Sequence, residues 1–329
     1  MNVMSPAAAV SDTLVRVQDL RVTFVSRDEK VSAVNGINFD LKRGEVMCVI
    51  GESGSGKSVM MRALMRLHPP KRTVIEGGMA VDGHDIQAVT ERQMRRLRGS
   101  TVSMIFQEPM TALDPLYTIG QQIAETVQIH EGVTRDMAMK RALELLQLVR
   151  VPSPERRLGA YPHELSGGLR QRAMIAVALS CNPSLLLADE PTTALDASVQ
   201  IQVLVLLRRL QKELGMSVIF VTHDLGVAAQ IADKVAVMYA GRLVEYGSVR
   251  DVLLNPKHHY TRGMLASTVA EQEKGKPLGA IPGTPPDLRA LPPGCAFAPR
   301  CRAARALCRS EPPGESGGGH RVRCHYPLA

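Results

Sequence analysis

This 329-residue sequence predicts an α/β fold: a parallel sheet with covering helices, a helical insertion, and a cysteine-rich C-terminal extension. Three observations carry the prediction. The run VMCVI at 46–50 is apolar throughout, as a central strand buried on both faces must be, and a glycine-rich loop follows it directly. From residue 184 the order is strand, helix, strand (SLLLADE, ASVQIQVLVLLRRLQKELG, SVIFVTHD), the alternation that builds parallel sheets. Beyond about residue 265 the composition shifts to Pro, Gly, Arg and Cys.

Taken in order, residues 14–50 read as short strands joined by turns. An amphipathic segment from 58 to about 67 follows the glycine-rich loop and stops at Pro69 and Pro70. The stretch from about 108 to 172 is richer in helical pattern and carries the breakers Pro152, Pro154 and Pro162. It reads as a helical subdomain inserted in a domain spanning 1–265, with 266–329 as the extension. No internal repeat is visible.

At 45% apolar residues the chain can bury one large core plus an appendage. Only 3% of residues are aromatic and Trp is missing, which argues against a base-stacking surface for single-stranded nucleic acid. The net charge is +8, and residues 271–329 hold nine Lys or Arg against five Asp or Glu, half of that excess. A solvated, mildly Arg-rich surface is the simplest reading, and no nucleic-acid partner is expected. No run approaches the roughly 18 to 20 apolar residues of a membrane helix. The start, MNVMSPAAAVSD, lacks the basic and apolar regions of a secretory signal, so a cytosolic chain is expected.

Residues 51–58, GESGSGKS, fit a phosphate-binding loop between a buried strand and a helix. Gly51, Ser53, Gly54 and Gly56 let backbone N–H groups close around phosphates, and the helix start favours negative charge. Lys57 would reach the β and γ phosphates, and Ser58 would ligate Mg²⁺. A plain Gly-rich turn competes poorly at that placement. At 184–190, SLLLADE, two carboxylates emerge from a strand end: Asp189 can hold Mg²⁺ and Glu190 can polarise an attacking water. In LSGGLRQR at 165–172, Ser166 suits an N-cap, and alone the segment reads as a capped helix start. With Gly167 and Gly168 behind it, the same turn makes an anion site.

LSGGLRQR between a phosphate loop and LLLADEP, followed by TTALD and VTHD, resembles the ATPase subunits of ABC transporters, in motif order and separation, over nearly the whole chain. The resemblance implies a P-loop NTPase core with an antiparallel β subdomain and a helical subdomain, using ATP and Mg²⁺. It implies that Gln107 in MIFQEP is the Q-loop residue sensing Mg²⁺ and water, Glu190 the catalytic base, and His223 the switch residue near the γ-phosphate. On its own, His223 would more often be a satisfied core or surface histidine. Residues 194–196, ending in Asp196, correspond to the D-loop at a dimer interface, and Phe24 to the adenine contact. Two such subunits bind head to tail, so that Ser166, Gly167 and Gly168 of one complete the site built on Lys57 of the other.

FQEPMTALDPLYTIG, YPHELSGG, ADEPTTALDASVQ and NPKHHYTRGML are similar to the dipeptide and oligopeptide importer branch, which includes nickel and glutathione importers. His259 stands where Pro is more usual and Asp114 where Asn is commoner. The branch implies a second ATPase subunit (a paralogue), two membrane permeases, an extracytoplasmic substrate-binding protein, and a peripheral place on the cytoplasmic membrane face. A soluble ABC protein acting on DNA or ribosomes is the rival. Against it, residues 57–165 show no heptad coiled coil and the chain holds one ATPase core.

Of six cysteines, Cys48 and Cys181 lie in apolar patterns and read as buried small hydrophobes. Cys295, Cys301, Cys308 and Cys324 crowd into thirty residues, which in a reducing cytosol points to metal before disulfides. Their spacing lacks the short pairs of structural zinc sites. A [4Fe–4S] cluster, known in related dipeptide-importer subunits, ranks ahead of zinc, with unligated thiols third. Arg300, Arg302, Arg305, Arg309, Arg321 and Arg323 are expected to offset the cluster's negative charge.

Overall fold

The structure, a computed structural model, describes residues 12–193, 195–267 and 280–329, with Pro109 described by its backbone alone. Among these residues eleven strands form: β1 Thr13–Val25, β2 Lys30–Lys42, β3 Val46–Ile50, β4 Thr73–Val81, β5 His84–Asp85, β6 Val102–Ile105, β7 Leu185–Asp189, β8 Ser217–Thr222, β9 Lys234–Tyr239, β10 Arg242–Ser248 and β11 Arg321–Val322. Four make an antiparallel sheet in the order β2-β1-β4-β5. Seven make a larger sheet in the order β11-β10-β9-β3-β8-β7-β6.

The larger sheet is parallel from β9 through β6. Every residue of β3, β7 and β8 is buried, as their apolar stretches VMCVI, LLLA and VIFV require. Each fully buried Val, Leu or Ile there contributes about 1.5–3 kcal/mol relative to exposure. Val49 pairs with Val221 on one side and Ala236 on the other, while Asp189 also pairs with Val221. This register brings the carboxyl ends of β3, β7 and β8 to one edge, where parallel sheets bind ligands.

Residues 14–50 differ from the sequence expectation. They form two 13-residue strands and β3 rather than several short strands. The pairing of β1 with β2 shifts register between Val17 and Leu20, and Asp19 takes a left-handed φ of 46°. Bulges of this kind break the apolar alternation, so one strand reads as fragments.

Between 109 and 178 the chain is helical, the longer helices being Ile119–Glu131, Arg135–Leu148 and Gly167–Ala178. Thr118 opens the first with a capping box to Gln121, and Thr134 caps the second through Met137 N–H. Ile119, Ile123, Leu145 and Leu146 tie this region to the core that includes Cys48 and Phe220. Cys48 is fully buried, as expected; Cys181 is only half-buried, with Sγ 3.8 Å from the Thr126 carbonyl oxygen. It follows the end of its helix rather than lying inside it.

The C-terminal segment is built into the main core. β11 adds antiparallel to the edge of β10, and Phe297 joins the principal core cluster. Glu245, almost fully buried, accepts from the N–H groups of Lys257 and His258 and lies 2.7 Å from His320 Nε2. Among the described residues no helix is long and apolar enough to cross a membrane.

Candidate active site

Gly51 and Gly56 make the tight path of the loop between β3 and the helix Lys57–Leu64 possible. A Cβ on Gly51 would sit 2.2 Å from the Met238 carbonyl oxygen, and one on Gly56 2.4 Å from that of Ala33. Both residues have positive φ, and the loop is further held by the Gly241 N–H donating to the Ser55 carbonyl at 3.0 Å. Ser53 and Gly54 form the exposed tip. Lys57 is buried and its Nζ donates to the carbonyls of Gly51 at 2.7 Å and Glu52 at 2.9 Å. Burial lowers its pKa, while the carboxylates of Glu190, Asp189 and Glu52 pull the other way.

Asp189 ends β7 and is 1% exposed. Its Oδ1 accepts from Ser58 Oγ at 2.8 Å, which joins the loop to the carboxylate pair. Burial raises the Asp189 pKa, and the Ser58 hydrogen bond opposes that shift. A hydroxyl beside a buried carboxylate is a donor set suited to Mg²⁺.

Glu190 has a φ of 44°, a left-handed conformation costing roughly 1–3 kcal/mol at a non-glycine residue. Its N–H donates to the Val221 carbonyl at 3.1 Å, which pins it beside β8. Three side chains converge on its Oε2: Thr193 Oγ1 donating at 2.9 Å, Gln107 Nε2 at 3.4 Å and His223 Nδ1 at 3.4 Å. The sequence singled out three members of this group and missed Thr193. Its signal was its position three residues after Glu190.

Phe24 is half-buried on β1, with its ring edge-to-face against His68 at 5.3 Å between centroids. Asp196 caps the helix Ala197–Leu214, accepting from Val199 N–H at 3.0 Å, and Ala194 lies outside the described residues. Ser166 occupies the N-cap position of Gly167–Ala178, but its side chain makes no capping hydrogen bond. A Cβ on Gly168 would meet Val199 Cγ1 at 2.8 Å, whereas one on Gly167 would meet only Leu195 Cδ2 at 3.8 Å. Among the described residues no hydrogen bond or ion pair joins this turn to the phosphate loop.

Residues 34–193 match the family described as ABC transporter, and residues 244–308 match the oligopeptide/dipeptide transporter C-terminal region. The chain is 48% identical over 319 residues to a probable peptide ABC transporter ATP-binding protein of Sinorhizobium fredii, covering 95% of each chain. It belongs to the ABC transporter ATP-binding family. The oligopeptide transport ATP-binding protein OppD of Salmonella typhimurium is 46% identical, over 97% of this chain and 95% of the relative. Among solved structures, the ATP-binding cassette MJ0796, a dimer in a post-hydrolysis state with ADP and phosphate, superposes with a TM-score of 0.65. It is 30% identical and covers 72% of this chain and 99% of its own. The chain is thus an ABC ATPase, with the parallel sheet, antiparallel sheet and helices of that fold.

The four late cysteines of this ABC ATPase line one pocket of about 20 Å³, which also touches His258, His259 and Tyr326. That is room for about one water molecule. Among the described residues, no group of three or more His, Cys, Asp or Glu is placed to hold a metal ion. Burial pushes the thiols of Cys295, Cys301 and Cys324 up, the last to about 11, and neighbouring thiols add to the effect. Four of the six arginines expected to offset a cluster's charge have other partners. Arg321 and Arg323 both pair with Glu315, Arg305 lies over the Tyr326 ring, and Arg300 pairs with Glu52.

Proposed function

We propose that this chain is the ATP-hydrolysing motor of a di- or oligopeptide importer. It works at the cytoplasmic face of the cell membrane, paired head to tail with a second ABC ATPase, a paralogue. The pair drives two membrane permease subunits fed by an extracytoplasmic substrate-binding protein. The match of residues 244–308 to the oligopeptide/dipeptide transporter C-terminal region carries the peptide assignment. Nickel or glutathione import is the alternative.

The residues fit MgATP: a glycine-built loop, a buried lysine, and a hydroxyl touching a buried carboxylate. The N–H groups of 51–58 and Lys57 would hold the phosphates, Ser58, Asp189 and Gln107 would hold Mg²⁺, and Phe24 would pack on adenine. Mg²⁺ held there would supply charge that offsets the negative charge developing on the transferred phosphoryl group. Glu190 takes a proton from water as its oxygen bonds to the γ-phosphorus and the bond to the β–γ bridging oxygen breaks, giving ADP and phosphate. Gln107, Thr193 and His223 hold the Glu190 carboxylate in place, and His223 also faces the γ-phosphate. Ser166, Gly167, Gly168 and Asp196 act on the neighbouring subunit's site.

Uptake of labelled dipeptide and tetrapeptide by cells lacking the chain tests this. Wild type restores uptake and Glu190→Gln does not. Restored nickel or glutathione uptake without peptide uptake would overturn the substrate assignment.

For the tail we propose a [4Fe–4S] cluster on Cys295, Cys301, Cys308 and Cys324, with zinc as runner-up. Four thiols within thirty residues support it; the pocket they line holds about one water molecule, so seating a cluster requires that pocket to widen. Thiolate–metal bonds would supply stability that a short Pro- and Gly-rich segment draws only in part from burial. Anaerobically purified protein should be brown and contain iron and acid-labile sulfide, both lowered by Cys301→Ser. Colourless protein with stoichiometric zinc, or with four freely titrating thiols, contradicts the cluster.

A further inference from the structure

Glu52 stands inside the phosphate loop, between Gly51 and Ser53. A carboxylate there opposes a triphosphate, and it lies close enough for Lys57 to feel its field. The chain answers that charge from 248 residues away. Arg300 grips the carboxylate bidentately, Nη1 donating to Oε2 at 2.6 Å and Nη2 to Oε1 at 2.9 Å. Its side chain is only 5% exposed. Nε donates to the Pro282 carbonyl at 2.9 Å, and Nη1 also reaches the Tyr239 hydroxyl at 3.3 Å. The planar guanidinium is therefore fixed in orientation as well as in charge.

The backbone of Glu52 is held from the same side, its N–H donating to the Tyr260 hydroxyl at 2.8 Å. Tyr239, Tyr260 and Phe297 pack ring against ring next to this contact. The Arg300 N–H donates to the Phe297 carbonyl at 3.0 Å, so the turn that presents the guanidinium is seated on those rings.

We propose that Arg300 is a positioning residue of the nucleotide site: it neutralises Glu52 inside the phosphate loop and so makes nucleotide affinity depend on the C-terminal segment. The inference rests on the reading of residues 51–58 as the ATP loop. With Arg300 in place the loop presents the triphosphate with backbone N–H groups and Lys57. Without it, the same loop presents an unpaired carboxylate.

The test is titration of the full-length protein with a fluorescent ATP analogue and Mg²⁺, comparing wild type, Arg300→Gln and Arg300→Gln/Glu52→Gln. Arg300→Gln should weaken binding about tenfold, as expected of one uncompensated charge near the phosphates, and less so at high salt. In ATPase assays the loss should fall in KM for ATP more than in kcat. The double variant should recover most of the affinity, although it lacks the same arginine packing. Wild-type affinity in Arg300→Gln overturns the proposal. A double variant as weak as the single one also overturns it, because the loss would then be one of packing. Wild type that binds no nucleotide would instead defeat the ATP-site reading itself.

Discussion

The two glycine-rich helix starts of the molecule, the phosphate loop before Lys57–Leu64 and the signature turn before Gly167–Ala178, are bonded in opposite ways. The phosphate loop is closed within the chain. Lys57 is buried on loop carbonyls, Ser58 is bonded to Asp189, and Glu52 is clamped by Arg300 and Tyr260. The signature turn has an N-cap serine that caps nothing, and an exposed glycine at 167 whose added Cβ would meet only Leu195 Cδ2 at 3.8 Å. A helix start normally satisfies its first N–H groups with a side chain, water or ligand. On the proposed reading, the difference separates a half-site that finds its partners inside the fold from one that finds them on a neighbouring subunit.

The largest expected effect breaks the chemistry while leaving both halves intact. Glu190→Gln should lower ATP hydrolysis by about 10³-fold with nucleotide binding retained, since it removes the base and none of the loop. Near-normal turnover in a phosphate-release assay would remove Glu190 from that role. Next comes Ser166→Arg, which should cut hydrolysis in the assembled transporter by about 10²-fold while the isolated subunit binds ATP normally. Weakened binding in the isolated subunit would show that the signature turn serves its own chain's loop. Lys57→Ala does the reverse and should weaken binding to the isolated subunit about 10- to 100-fold, the range for charged hydrogen bonds to phosphate.

The smallest effects compare the glycines. Gly51→Ala places a Cβ 2.2 Å from a backbone oxygen at a φ of 154°, and should destabilise the fold by about 1–3 kcal/mol in urea titrations. Gly167→Ala meets only Leu195 Cδ2 at 3.8 Å and should stay within about 0.5 kcal/mol of wild type. Equal losses at the two positions would erase the contrast between a closed and an open half-site.

What was legible in the sequence follows the same division. Residues 51–58 and 184–190 announce themselves because phosphate and Mg²⁺ chemistry fixes residue type and spacing locally. The central strands were legible because burial on both faces demands unbroken apolar runs. The long strands β1 and β2 were not, since their bulges interrupt the period that reveals strands. Nor was the edge strand β11, two residues long with no pattern of its own. The Arg300–Glu52 contact lies beyond any local signal, because one arginine among nine basic residues in 271–329 carries no mark of its partner. Phe24 is the adenine contact only by resemblance, as an aromatic upstream of the phosphate loop. The structure sets it edge-on to His68, just past the loop's helix.

Completion of the open half-site by another subunit is the proposed arrangement. It is tested most directly by the association state of full-length Glu190→Gln, mixed with its paralogue, in analytical ultracentrifugation with and without MgATP. The expected result is a pair that forms only with ATP, and that Ser166→Arg added to Glu190→Gln abolishes while ATP still binds. A Glu190→Gln/Ser166→Arg protein that pairs on ATP as readily as Glu190→Gln alone would contradict it.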